Sequence, residues 1–167
     1  MTAGSKVDPA NGEYGRLLGV SCSGDAAFFA LVVDGSFLDE EPRRIEPPEV
    51  LGGGDRLVDF RNRMRREITR AGAEVVVIVT SSYRADYQQI AARATLETLI
   101  RLAAAEEGIP SEFMHQKRAR SRLGLPSKGG FGEVAQRYLR DRVASSPVYW
   151  SEGRAAAAAV ALARGTS

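Results

Sequence analysis

Apolar and polar positions trade places over short intervals in the first forty residues. Leu17–Val20 is apolar, SCSGD supplies a turn, and Ala26–Val33 is apolar again with two phenylalanines. Asp34-Gly35 is a second turn signal before Ser36–Leu38. This spacing predicts a β-hairpin extending into a meander. Phe28 and Phe29 are adjacent in a strand, so they face opposite sides. Residues 39–54 hold DEEPRR, a Pro-Pro pair and three glycines, and read as a loop. Asp55 is placed as an N-cap, and Leu57, Phe60, Met64 and Ile68 then share one helical face. Arg61, Arg63, Arg65, Arg66 and Arg70 lie elsewhere on that helix and form a solvated face. Ala71-Gly72 ends it. Glu74–Val79 reads EVVVIV, a β-branched run suited to a central strand covered on both faces.

Residues 86–107 form the longest predicted helix, with Ile90, Leu96, Leu99, Ile100 and Ala103 on its buried side. Gly108-Ile109-Pro110 stops it, and Glu112–Gln116 is a short strand candidate. Residues 114–130 are basic and hold no acid. Phe131–Val143 is helical, with Val134, Tyr138 and Leu139 on one side. The last helix begins near Trp150-Ser151-Glu152 and runs through Ala155–Ala163, where five successive alanines let it approach a sheet closely. The order β-β-(β)-α-β-α-β-α-α predicts an α/β fold. Its mixed sheet has antiparallel first strands and flanking helices. Residues 1–14 read as a disordered N-terminal tail and residues 15–167 as one domain.

Composition narrows the function classes. With 44% hydrophobic and 26% charged residues, the 167-residue chain reads as soluble and globular. No apolar run reaches the ~18 residues of a membrane span, and the N-terminus lacks the apolar stretch of a secretory signal. One cysteine, Cys22, excludes an internal disulfide; with one histidine, His115, it also excludes a Cys/His zinc cage. Magnesium held by carboxylates is not excluded. A net charge of +2 does not argue for nucleic acid by itself. Arginine far outnumbers lysine, which fits a GC-rich genome and a bacterial cytoplasmic setting.

Four segments, in order, resemble RuvC-type Holliday junction resolvases of the RNase H-like superfamily. LLGVSCSG resembles the opening strand and turn, which the family writes Leu-Gly-Ile-Asp-Pro-Gly. VVVIVTSSYRADYQQIAARATLETLIRLAAAEEGIPSEFM resembles the central strand, the long interface helix and the approach to the next strand. SKGGFGEVAQRYL resembles the Gly-rich turn into a helix. SEGRAAAAAVALA resembles the last helix, which the family begins Asp-Ala-Ala-Asp-Ala-Leu-Ala. The resemblance implies an RNase H-like fold over residues 16–164. It also implies a chemistry in which four carboxylates hold two Mg²⁺ ions about 4 Å apart. The corresponding positions here are Ser21, Thr80, and either Ser151 with Arg154 or Glu152 with Ala155. At best one carboxylate survives, so no intact catalytic set and no resident metal is expected.

Three acids are candidates for a relocated, Mg²⁺-dependent nuclease site: Asp25, Asp86 and Glu152. Asp25 and Asp86 also read as ordinary turn and helix N-terminal residues. Lys117, Arg118, Arg120, Arg122 and Lys128 are candidates for phosphate contacts, or equally a solvated surface in an arginine-rich chain. Tyr83 and Tyr87 fit loop packing better than base stacking. Cys22 reads as structural and His115 as a polar strand-end residue. Ala91, Ala92 and Thr95 are small enough for a close helix contact; in the resembled family this helix forms a homodimer interface. The expectation is a resolvase-like protein that has lost its nuclease chemistry and acts by binding branched or duplex DNA, or a protein partner. The alternatives are an active structure-selective endonuclease and an interaction module with no nucleic-acid role.

Overall fold

A computed structural model describes residues 15–38, 44–48, 51–80, 87–142 and 151–166, with residues 87–89 as backbone alone. The strands are β1 Arg16–Cys22, β2 Ala27–Val33, β3 Ser36–Leu38, β4 Arg44–Ile45, β5 Val75–Thr80 and β6 Ser111–His115. The helices are α1 Gly53–Ala71, α2 Tyr87–Glu106, α3 Gln116–Leu123, α4 Phe131–Arg142 and α5 Glu152–Gly165. The sheet runs β3-β2-β1-β5-β6, with β4 paired to β2. β1, β2 and β3 are antiparallel neighbours, whereas β5 runs parallel to both β1 and β6. The EVVVIV run is the central strand its composition predicts. No described helix is long and apolar enough to cross a membrane.

Strand alternation sorts the core onto two faces. Leu17, Val75, Val77, Val79 and Met114 pack with α3, α4 and α5. Leu18, Val20, Phe29, Val76 and Ile78 pack with Phe60, Met64 and Ile68 of α1 and with Leu96 and Ile100 of α2. Every residue from Ala155 to Ala161 is buried. The absence of bulk there has a specific use. A Cβ on Gly19 of β1 would lie 1.8 Å from the Ala157 carbonyl oxygen, so α5 touches the sheet backbone itself. Across the sheet, Arg65 of α1 donates from Nε to Glu107 at 2.8 Å and from Nη1 to Glu106 at 3.2 Å. The hydrogen bond from Arg65 holds the Glu107 carboxyl below its ordinary value.

Four local features differ from the sequence reading. α1 starts at Gly53 behind Gly52, so Asp55 is a first-turn charge at the helix N-terminus instead of its cap. Leu57 is 36% exposed, because the buried stripe begins one turn later at Phe60. The stretch read as a loop contains the two-residue strand β4, set by the pairing of Ile45 with Ala27. The basic segment includes the helix α3. His115 caps it by accepting from Lys117 N at 3.1 Å, and Gly124 closes it in the left-handed conformation at φ 66°.

Gly19→Ala should lower stability by about 3 kcal/mol, because the new methyl group meets backbone and no rotamer avoids it. Urea denaturation of the variant measures this; a change below ~0.5 kcal/mol would show that α5 has room to retreat.

Candidate functional site

The C-terminal ends of β1 and β5 open beside the N-terminus of α5, where parallel α/β sheets place their ligand sites. A cleft of about 290 Å³ lies there, lined by Ser21, Val79, Arg93, Gln116, Glu152 and Gly153 among others. Alternation decides which residues of the strands reach it. Ser21 falls on the α5 side; its neighbour Cys22 is buried on the α1/α2 side. Val79 lines the cleft and Thr80, the next residue, does not. Two glycines set the position of Glu152. A Cβ on Gly132 would lie 2.7 Å from the Glu152 Cβ, and a Cβ on Gly153 would lie 2.5 Å from the Phe28 ring. α4 and β2 therefore both press on the first turn of α5. Ser151 caps that turn by accepting from Arg154 N at 3.2 Å.

Arg93 is the functional candidate that sequence reasoning missed. Its Nε donates to Glu97 Oε1 at 2.8 Å, and its Nη2 donates to the Val79 carbonyl at 3.2 Å. The side chains of Arg93 and Glu97 are only 18% and 6% exposed. The available signal was their spacing of four residues on α2 within an otherwise uncharged stretch. Burial, and then the nearby Glu97 carboxylate, push the Cys22 thiol well above its ordinary value. Cys22 is thus held protonated in the core, where it packs as a small apolar residue.

The residues of the cleft do not fit a pair of divalent cations. Ser21 and Val79 offer a hydroxyl and a methyl surface where carboxylates would be needed. Thr80 stands at the end of β5, and Arg154 is buried with its Nε donating to the Phe29 carbonyl at 3.3 Å. Ala155 is buried in the core. Asp25 sits in the β1–β2 turn, accepting from Ser23 Oγ at 2.8 Å, and does not line the cleft. Asp86 and Tyr83 lie outside the described residues, as does the side chain of Tyr87. Of the two described acid candidates, Glu152 is the one that lines the cleft, together with Arg93. Among the described residues, no three His, Cys, Asp or Glu side chains converge.

The basic segment divides in two. Arg120 donates from Nη1 to the Pro126 carbonyl at 2.6 Å and from Nη2 to the Gly129 carbonyl at 2.7 Å. Its guanidinium also lies 5.6 Å from the ring centre of Phe131, a cleft residue. Arg122 donates to the Ala163 carbonyl at 3.1 Å and so ties α3 to the end of α5. Lys117, Arg118 and Lys128 are exposed. Ala91 and Ala92 are half-buried, with Ala92 nearest the β1–β2 turn, whereas Thr95 is exposed.

Arg120→Ala should therefore cost about 1 kcal/mol of stability, the order expected for charge-assisted bonds at a half-exposed site. Arg118→Ala should stay within ~0.5 kcal/mol. Thermal or urea unfolding of the two variants separates them; equal stabilities would show that Arg120 does not organise the loop.

Solved structures with the same architecture exist. Thermus thermophilus RuvC bound to a Holliday junction superposes with a TM-score of 0.73 at 13% identity, covering 90% of this chain and 92% of that one. T. thermophilus RuvC in a second structure gives 0.72 at 15% identity, covering 89% and 92%. The yeast mitochondrial Holliday junction resolvase Ydc2 gives 0.56 at 12% identity, covering 90% and 77%. No protein-family profile and no curated protein matches the sequence. At such identities the likeness is one of architecture. The chain has the RNase H-like fold of the RuvC Holliday junction resolvases.

Proposed function

We propose that this chain is a resolvase-fold protein of the bacterial cytoplasm that binds DNA without cutting it. The observation that carries the reading is the chemistry of the cleft. Two-metal hydrolysis needs several convergent carboxylates, and among the described residues lining the cleft Glu152 is the one acid. Binding is supported by Lys117, Arg118 and Lys128, which are exposed next to the cleft residues Gln116 and Phe131. The 114–130 segment carries no acid to offset them. The T. thermophilus relative was solved on a Holliday junction, which makes branched DNA the first substrate to try.

A second copy of the chain is the favoured protein partner. Ala94, Thr98, Leu102 and Ala105 form an uncharged, exposed stripe along α2, with Leu102 44% exposed. Phe113 on the edge strand β6 is 41% exposed, beneath the Arg101 guanidinium at 5.0 Å. Apolar surface of this kind, unusual on a monomer when contiguous, suits an isologous contact.

Purified protein should leave four-way junctions intact in Mg²⁺ or Mn²⁺ but retard junction or duplex DNA at low salt. Lys117→Ala with Arg118→Ala should weaken binding on all sequences and flatten the slope of log K against log salt by up to about 1.8. Divalent-dependent cleavage abolished by Glu152→Gln would establish the enzyme instead, and absence of any DNA binding would leave a protein-interaction role. In sedimentation the protein should run as a dimer that Leu102→Asp converts to monomer; a wild-type monomer at high concentration would remove the second-copy reading.

A further inference from the structure

We propose that the open edge of β6 takes up an extended acidic peptide as an added strand. The proposal stands apart from the DNA reading. β6 ends the sheet and pairs only with β5 among the described residues. Val76 of β5 is paired with Ser111 and donates to the Pro110 carbonyl at 3.0 Å. In a parallel ladder, alternate residues bond to the neighbouring strand. Pro110, Glu112 and Met114 therefore turn their backbone groups to β5. Those of Ser111 and Phe113 point off the sheet, and no hydrogen bond reaches them among the described residues. They form a row of N–H and C=O groups at the spacing a further strand requires. Edges are commonly closed by a proline, a bulge or an inward-facing lysine. Ser111–His115 holds no proline or lysine, and its register with β5 runs one to one. Phe113 adds a ring, 41% exposed, against which a side chain of the incoming strand can pack.

Charge decides between occupants. On the α2 side, Arg101 lies 5.0 Å from the Phe113 ring centre. α3 packs on the other face of the sheet and carries Arg118 in its first turn. Burial, then Arg118, then Arg164 hold the Arg122 guanidinium there below its ordinary value. Glu112, the acid on β6, is bonded to Arg164. Arg101, Lys117 and Arg118 are exposed, and none is paired with an acid among the described residues. A second copy aligned edge to edge would set these cations against their own equivalents, whereas carboxylates on an added strand offset them. The uncharged α2 stripe is left to the second copy. Nucleic acid would answer the cations but not the row of backbone groups.

The experiment is fluorescence anisotropy of the full chain with a labelled peptide of about eight residues that alternates aspartate with valine and phenylalanine. Two companion peptides carry N-methyl groups on one or the other set of alternate backbone nitrogens, and a third carries lysine for aspartate. The parent peptide should bind saturably. One N-methyl peptide should lose about 10-fold, the scale of two hydrogen bonds. The other should bind as the parent does, because a strand presents every second N–H to its neighbour. The lysine peptide should lose at least as much, and Arg101→Gln should weaken the parent about 2- to 5-fold. Amide exchange at Ser111 and Phe113 should slow in the complex, while Glu112 and Met114, already bonded to β5, keep their rates. Absence of saturable binding, equal affinity of the two N-methyl peptides, or unchanged exchange at Ser111 and Phe113 overturns the proposal. So does parent-like affinity of the lysine peptide or of the Arg101→Gln variant. Displacement by duplex DNA together with indifference to N-methylation makes the surface a polyanion site instead. Binding seen only in the Leu102→Asp variant gives the edge to a second copy and likewise removes the peptide.

Discussion

The Ala157 carbonyl oxygen lies where a side chain on residue 19 would begin. That contact fixes the distance between α5 and the sheet, and much else follows from it. A helix this close admits only small residues on its inner side, hence the alanine run. Because α5 packs on β1, β2 and β5 together, its first turn must emerge over the C-terminal ends of the parallel strands. α4 then closes against α5 at Gly132 and Glu152, and Arg122 of α3 ties back to its last turn. The cleft is the space left at the open end of this contact, between α5 and α2.

Those parts of the fold controlled by local composition could be read from the chain. EVVVIV has one stable use, as a strand buried on both faces. The alanine run announces a close approach without saying to what, and the partner was a single glycine in β1. The features that escaped depend on tertiary pairing. β4 exists because Ile45 meets Ala27, and no periodicity marks a two-residue strand. α3 is charged at half of its eight positions and buries one residue, Ala119. Its apolar signal is therefore almost nil, and it is held by a cap and by arginine contacts to carbonyls.

The site divides along the same line. Ser21 and Glu152 were identifiable because a family pattern locates them, and the structure brings both to the cleft. Val79 and Thr80 show the limit of that approach: one residue along a strand reverses the face, and it is Val79 that lines the cleft. Arg93 belongs to no motif. It lies on a helix otherwise read for its apolar and small residues, and its importance comes from a bond to the end of a strand 14 residues earlier. Among the basic residues, sequence counts charge but cannot tell a guanidinium facing solvent from one closing a loop. Arg118 and Arg120, two positions apart, are one of each.

The Arg93–Glu97 pair also bears on how this protein can change over generations. An aspartate arising at Ser21 would share the cleft with a fixed guanidinium and be drawn to it before any metal. Losing Arg93 first would take from the buried Glu97 carboxylate its guanidinium partner at 2.8 Å, a change costing several kcal/mol. Neither single step leads towards a working two-metal centre, and each alone is disfavoured. The pair therefore couples three elements: placing metal-binding carboxylates in the cleft would mean altering α2, β1 and β5 in concert.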